Sequence, residues 1–178
     1  MRAARILASE FEACGHPPSS LVGDLVTAFH PPPHIRVIAI AIIVHHDHVL
    51  LVEGEDETTG RRWFRPPGGA VEFGERAEDA VRRELDEEFG REIHLNGLIG
   101  ITENVFELRG DAGHEIVFEF AARFPLGAAP EDLEPLVGIE GDATFTGRWL
   151  PLAEVIAGAH PVVPEGLDER IAAWVNTL

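Results

Sequence analysis

The order of apolar patterns along the chain predicts an α/β (α+β) domain, a mixed β-sheet with helices packed on it. Three observations carry that expectation. An isoleucine- and valine-rich run over 35–44 is followed, after a short turn, by a second apolar run over 49–52. A helical pattern over 77–89 then separates these strands from a further group of strand patterns, and two helical segments close the chain. At 178 residues the chain suffices for one domain with a proper core and is too short for two comfortable ones.

Residues 1–33 read as an N-terminal extension: a helical stretch over Ala4–Ala13, loop punctuation from Gly15 to Ser20, then the stiff boundary Pro31-Pro32-Pro33. Residues 34–178 form the domain. Its first strands, Ile35–Val44 and Val49–Val52, make a hairpin about His45-His46-Asp47, placed in the middle of the sheet. The prolines and glycines from Arg65 to Glu75 bend the backbone sharply enough to approach a ligand closely. A helix follows over Ala77–Phe89, ended by Gly90 in the left-handed cap. Strands are then expected over Ile93–Ile101, Val105–Leu108, Glu115–Phe124 and, after an acidic Pro/Gly-punctuated segment from Pro125 to Asp142, over Ala143–Leu150. Helices over Leu152–Ile156 and Glu165–Val175 complete the chain.

The helix over 77–89 carries the strongest functional signal. At 100° per residue, Ala77, Ala80, Val81, Leu85 and Phe89 form one apolar stripe. Glu84 and Glu88 fall inside it and Glu87 on its edge, whereas Asp79, Arg82, Arg83 and Asp86 point the other way. Burying like-charged carboxylates together is costly unless a cation neutralises them, so a bound divalent metal is the simplest resolution.

Composition narrows the partners. A net charge of −17 excludes a nucleic-acid groove, which needs clustered lysine and arginine, and implies that a phosphate substrate arrives with metal ions. The single cysteine, Cys14, excludes an intrachain disulfide and fits a reducing interior. The longest apolar run, Val37–Val44, is too short to cross a bilayer, and the N-terminus lacks a secretory pattern. A cytoplasmic protein is the expectation.

Gly69, five residues, Glu75, seven residues, then Arg83-Glu84-Leu85-Asp86-Glu87-Glu88-Phe89-Gly90-Arg91 resembles the signature box of the Nudix hydrolases. Only the last position departs: Arg91 stands where the family has a bulky aliphatic residue, a packing position beyond the helix cap. The resemblance covers about residues 35–160 and implies the family's α/β/α sandwich. It implies Mg²⁺- or Mn²⁺-dependent hydrolysis of a pyrophosphate bond in a nucleoside diphosphate linked to another moiety, with water attacking phosphorus. Hard oxygen ligands suit those ions. By resemblance, Glu84, Glu87, Glu88 and the carbonyl of Gly69 hold the metal, while Glu75 and Arg83 pair to lock the loop onto the helix. The general base is either a box glutamate or a later loop glutamate. Of the latter, Glu140 is preferred to Glu134 and Glu131.

Arg36, Arg61, Arg62 and Arg65 stand out in so acidic a chain, with Trp63 and Phe64 between the last three. Arg62 and Arg65 can grip a phosphate and Trp63 can stack on a base; Trp63 and Phe64 equally suit a core-facing strand. His45-His46-Asp47-His48 reads as a solvated turn rather than a metal site, and His114 as a hydrogen-bonding strand residue. The proline, tyrosine and Ser-Gln-Pro-Trp markers of known Nudix subclasses are all missing, leaving a nucleoside di- or triphosphate or a nucleotide sugar as the substrate. Two other readings compete. A non-hydrolytic nucleotide sensor usually loses box carboxylates, and an isoprenyl diphosphate isomerase wants a core cysteine that Cys14, in the extension, does not provide. Many relatives form dimers, so a homodimer with the extension exchanged is one arrangement open to the chain.

Overall fold

The computed structural model describes residues 30–130 and 132–177; the expected Ala4–Ala13 helix, Cys14 and Glu131 lie outside the described residues. The elements are β1 (Arg36–His45), β2 (His48–Asp56), β3 (Arg61–Arg65), β4 (Gly68–Ala70), α1 (Ala77–Phe89), β5 (His94–Leu108), β6 (Asp111–Arg123), β7 (Leu136–Glu140), β8 (Ala143–Pro151), α2 (Leu152–Ile156) and α3 (Leu167–Val175).

The strands form one eight-stranded mixed sheet in the order β5-β6-β1-β2-β8-β7, with β4 paired to β1 and β3 to β2. Among the described strands only β1 and β6 pair in parallel, from Arg36↔Glu115 to Ile43↔Ala122. The hairpin of β1 and β2 is central, turning at His46 and Asp47, both in the left-handed region. Its two strands stay paired only at Val44↔Val49 and His45↔His48, then part. Beyond that point β1 takes β4 as its neighbour, and β2 takes β3 from Val52↔Arg65 onward. The sheet is therefore split, and the segment Arg65–Gly69 crosses the split from β3 to β4.

Alternation along the central strands feeds two cores. Ala39, Ala41, Ile43 and Leu50 face α1, packing on Ala80, Val81 and Leu85. Ile38, Ile40, Ile42, Val49 and Leu51 face the other way, onto α2 and α3 through Leu152, Val155, Leu167 and Ile171. Helices on both faces of the sheet make the three-layer sandwich, and period-2 burial of branched residues is what holds it.

Two local expectations need correction. The stretches 93–101 and 105–108 are one strand, β5, continuous through the polar Asn104 because its alternation persists against β6; bulges near Leu95 and Leu98 absorb the irregularity. The acidic segment 125–142 contains a strand, β7, in which Leu136 and Gly138 are buried and Val137 and Ile139 exposed. Arg61–Arg65 forms the strand that Trp63 and Phe64 suit, and Gly68–Ala70 forms a further short strand. No helix among the described residues is long and apolar enough to cross a membrane.

Candidate active site

Helix α1 lies against β4, β1 and β7, so its glutamate-bearing side faces the split in the sheet. The side chain of Glu84 is only 15% exposed and rests against Gly69 so closely that a Cβ at position 69 would overlap its carboxylate. A glycine is thus required there for the β4 backbone and this carboxylate to share the space. Gly90, at φ 60°, caps the helix through its backbone N–H to Asp86.

Arg83 knits the loop to the helix. Its Nε donates to Glu75 Oε1 at 2.9 Å and its Nη2 to Glu75 Oε2 at 3.0 Å, a bidentate pair. Nη2 also reaches the Ala70 carbonyl at 2.9 Å, and Nη1 reaches Glu84 at 2.9 Å and Glu87 at 3.0 Å. Donating to Glu75 holds the guanidinium above its ordinary range, and accepting from Arg83 holds the Glu75 carboxyl below its own.

Glu88 differs from every other carboxylate here. Burial pushes its pKa up to about 7; Arg65 pulls it down, and Glu84, Glu140 and Glu87 push it further up. Carboxylates gathered with too little positive charge are a donor set that fits a hard divalent cation. As the side chains stand, Glu87 is exposed and turned to Arg83, and among the described residues no three His, Cys, Asp or Glu side chains are gathered closely enough to hold an ion. Glu84 is near enough to Glu88 for its charge to raise the Glu88 pKa.

The remaining residues singled out from the sequence fall into two groups. Glu140 ends β7 and is close enough to Glu88 and Arg36 to shift both. Arg65 lies beside Glu88 and donates to the Gly68 carbonyl at 3.3 Å, while its buried Nε has no hydrogen-bond partner among the described residues. Arg62 instead pairs with Glu53, which Arg148 approaches at 3.6 Å, and Trp63 lies flat over Gly54. Among the described residues Glu134 pairs with none of these side chains. His48 bonds to the carbonyl of His46 at 2.7 Å, and His114 bonds Glu103 across β5 and β6 at 2.9 Å.

Two features were not seen in the sequence. Arg36, whose pKa burial lowers, sits 3.4 Å from the buried Glu115, which Asn104 bonds at 3.3 Å. The segment 158–169 forms a cavity with β3. Charged residues alternating with Val117 inside an apolar strand were the available signal for the first. The prolines and glycines of 158–166 were the signal for the second.

A three-layer sandwich with a clamped, carboxylate-bearing helix at a split in its sheet is the architecture that the box resemblance implies. The family model of the NUDIX domain matches residues 32–174, and the chain belongs to the Nudix family. It is an enzyme, a Nudix pyrophosphohydrolase. It is 26% identical over 136 residues to the low-salt glycan biosynthesis protein Agl8 of Haloferax volcanii, covering 76% of this chain and 82% of that one. The crystal structure of the mutator MutT protein from Bacillus halodurans matches with a TM-score of 0.51 at 26% identity, over 77% of this chain and 80% of that one. The solution structure of the E. coli ORF135 protein, at 22% identity, shares the fold with a TM-score of 0.52 over 80% of this chain and 89% of that one.

Proposed function

We propose that this enzyme hydrolyses a pyrophosphate bond in a nucleoside diphosphate linked to a further group, either phosphate or sugar, and that it requires Mg²⁺ or Mn²⁺. The observation that carries the reading is the crowding of Glu84 and Glu88 at the split, with Glu88 pushed up to about 7. A fold gains nothing from such repulsion unless a cation relieves it.

Glu84, Glu88 and the Gly69 carbonyl would hold the ion, with Glu87 joining them on turning away from Arg83. Bound there, the ion would supply charge to neutralise phosphate oxygens and would lower the pKa of a water. Arg65 supplies a buried guanidinium for the phosphate chain, and Arg62 and Trp63 line the continuing path of β3. Glu140, exposed at the end of β7, removes the proton from the attacking water as the phosphorus–oxygen bond forms. The bridging oxygen leaves with the other phosphate. Glu75 and Arg83 contribute by fixing the loop, since the clamp sets where Gly69 and Glu84 meet.

A panel of nucleoside triphosphates and nucleotide sugars, with phosphate release coupled to a phosphatase, tests the reading. Turnover is expected with Mg²⁺ or Mn²⁺ and none in EDTA, and Glu87→Gln is expected to lower kcat by about 10² while the protein stays folded. A flat response across the panel would refute it.

A further inference from the structure

We propose that residues 21–29 form an amphipathic helix that packs, within its own chain, on the α1-side face of β5, β6 and β1, a layer that α1 covers only in part. Alternation defines the face. Phe118 of β6 and Ala39 of β1 pack in the α1 core, so Ile116 and Val37, two residues before them, point the same way. Ladder partners share a face, which adds Ile101 opposite Phe118 and Val105 opposite His114 on β5. Helix α1 packs on β4, β1 and β7, and this corner of the sheet lies to its side. Ile101 is 55% exposed, Val105 69% and Ile35, just before β1, 54%. A contiguous strip of branched side chains on one sheet face marks a surface that packs against something. The polar pair within it, Glu103 and His114, bond each other at 2.9 Å, which lets an apolar neighbour lie over them.

The chain carries a matching stripe just before the described residues begin. Leu21, Val22, Leu25, Val26 and Phe29 recur at helical spacing and, at 100° per residue, fall within an arc of about 140°. Ser20, Gly23, Asp24 and Thr27 take the other side, Ser20 suits the N-terminal cap, and Pro31 to Pro33 end the pattern. Nine helical residues span about 14 Å and the three strands about 10 Å between their outer axes, so one such helix crosses all three. The attachment point lies at the same corner. Phe29 adjoins His30, whose Nδ1 hydrogen-bonds Asp111 Oδ2 at 2.7 Å. Asp111 is the first residue of β6, three before His114, and Ile35 and Val37 follow His30 within seven residues. An apolar stripe tethered at the edge of an apolar face has a far higher effective concentration there than a separate molecule has.

Two measurements on the full chain test this. Ile101→Cys in a Cys14→Ser background puts one thiol on the face, and Leu25→Asp, made in that protein, is expected to raise its rate of alkylation by iodoacetamide about tenfold or more. Thermal melting gives the second reading. Leu25→Asp and Ile101→Asp are each expected to lower Tm by several degrees, and the double variant by little more than the larger single effect, as for two residues sharing one contact. An alkylation rate that ignores Leu25→Asp, or single variants that both melt with the wild type, would overturn the proposal. A dimer in sedimentation that Ile101→Asp dissolves would give the face to a second copy and overturn it equally.

Discussion

Both faces of the sheet bury glutamates, but they neutralise them differently. On the α3 face, Glu119 is fully buried and receives two hydrogen bonds from Arg170 and one from Thr102 at 2.8 Å. On the α1 face, Glu88 has Arg65 nearby but also Glu84, Glu87 and Glu140, and is pushed up to about 7. The protein completes the first site from its own residues and leaves the second short of positive charge. That difference separates a structural pair from the site we propose for a cation, where residue type and burial alone would not.

The largest expected effect is on the completed side. Glu119→Gln leaves Arg170 without its charged partner and should cost about 3–5 kcal/mol of stability in chemical denaturation, with the metal requirement of turnover unchanged. Glu84→Gln or Glu88→Gln should do the reverse, lowering kcat by about 10² or more while leaving the metal-free protein as stable or more so. If either substitution destabilised the metal-free fold as Glu119→Gln does, the two faces would not differ in kind.

The smallest effect concerns Asp56, at the tip of the β2–β3 hairpin. A hydrogen bond from the Thr58 hydroxyl at 2.5 Å holds its carboxyl well below the usual carboxylate range, helped by the backbone N–H groups of Arg109, Thr58 and Thr59 and opposed by burial. A depressed folded pKa contributes stability above the unfolded value of 3.8, and that stability is lost as pH falls through the folded value. Asp56→Asn should therefore melt below the wild type at neutral pH, and the gap should close in acid. A gap that widened in acid would contradict this assignment.

The sequence showed most clearly what depends on neighbours in the chain. The bounds of α1 and α2, the β1–β2 hairpin and the odd placement of Glu84 and Glu88 all follow from periodicity and capping within a few residues. Short strands were harder: β7 has five residues between prolines and glycines, too few for alternation to outweigh the turn signals around it. Partnerships across the sheet were out of reach. Arg170 lies 51 residues from Glu119, and Arg36 meets Glu115 only because β1 and β6 run parallel in one register. Arg62 shows the converse, since its sequence context suggested phosphate and its position on β3 gives it Glu53.

Calorimetric titration of Mn²⁺ into the metal-free protein, beside the Glu84→Gln/Glu88→Gln double variant, tests most directly whether these carboxylates exist to hold a cation. Saturable binding to the wild type, accompanied by a rise in melting temperature, with both lost in the variant, is the expected result. Equal binding by the two proteins, or none by the wild type, would contradict it.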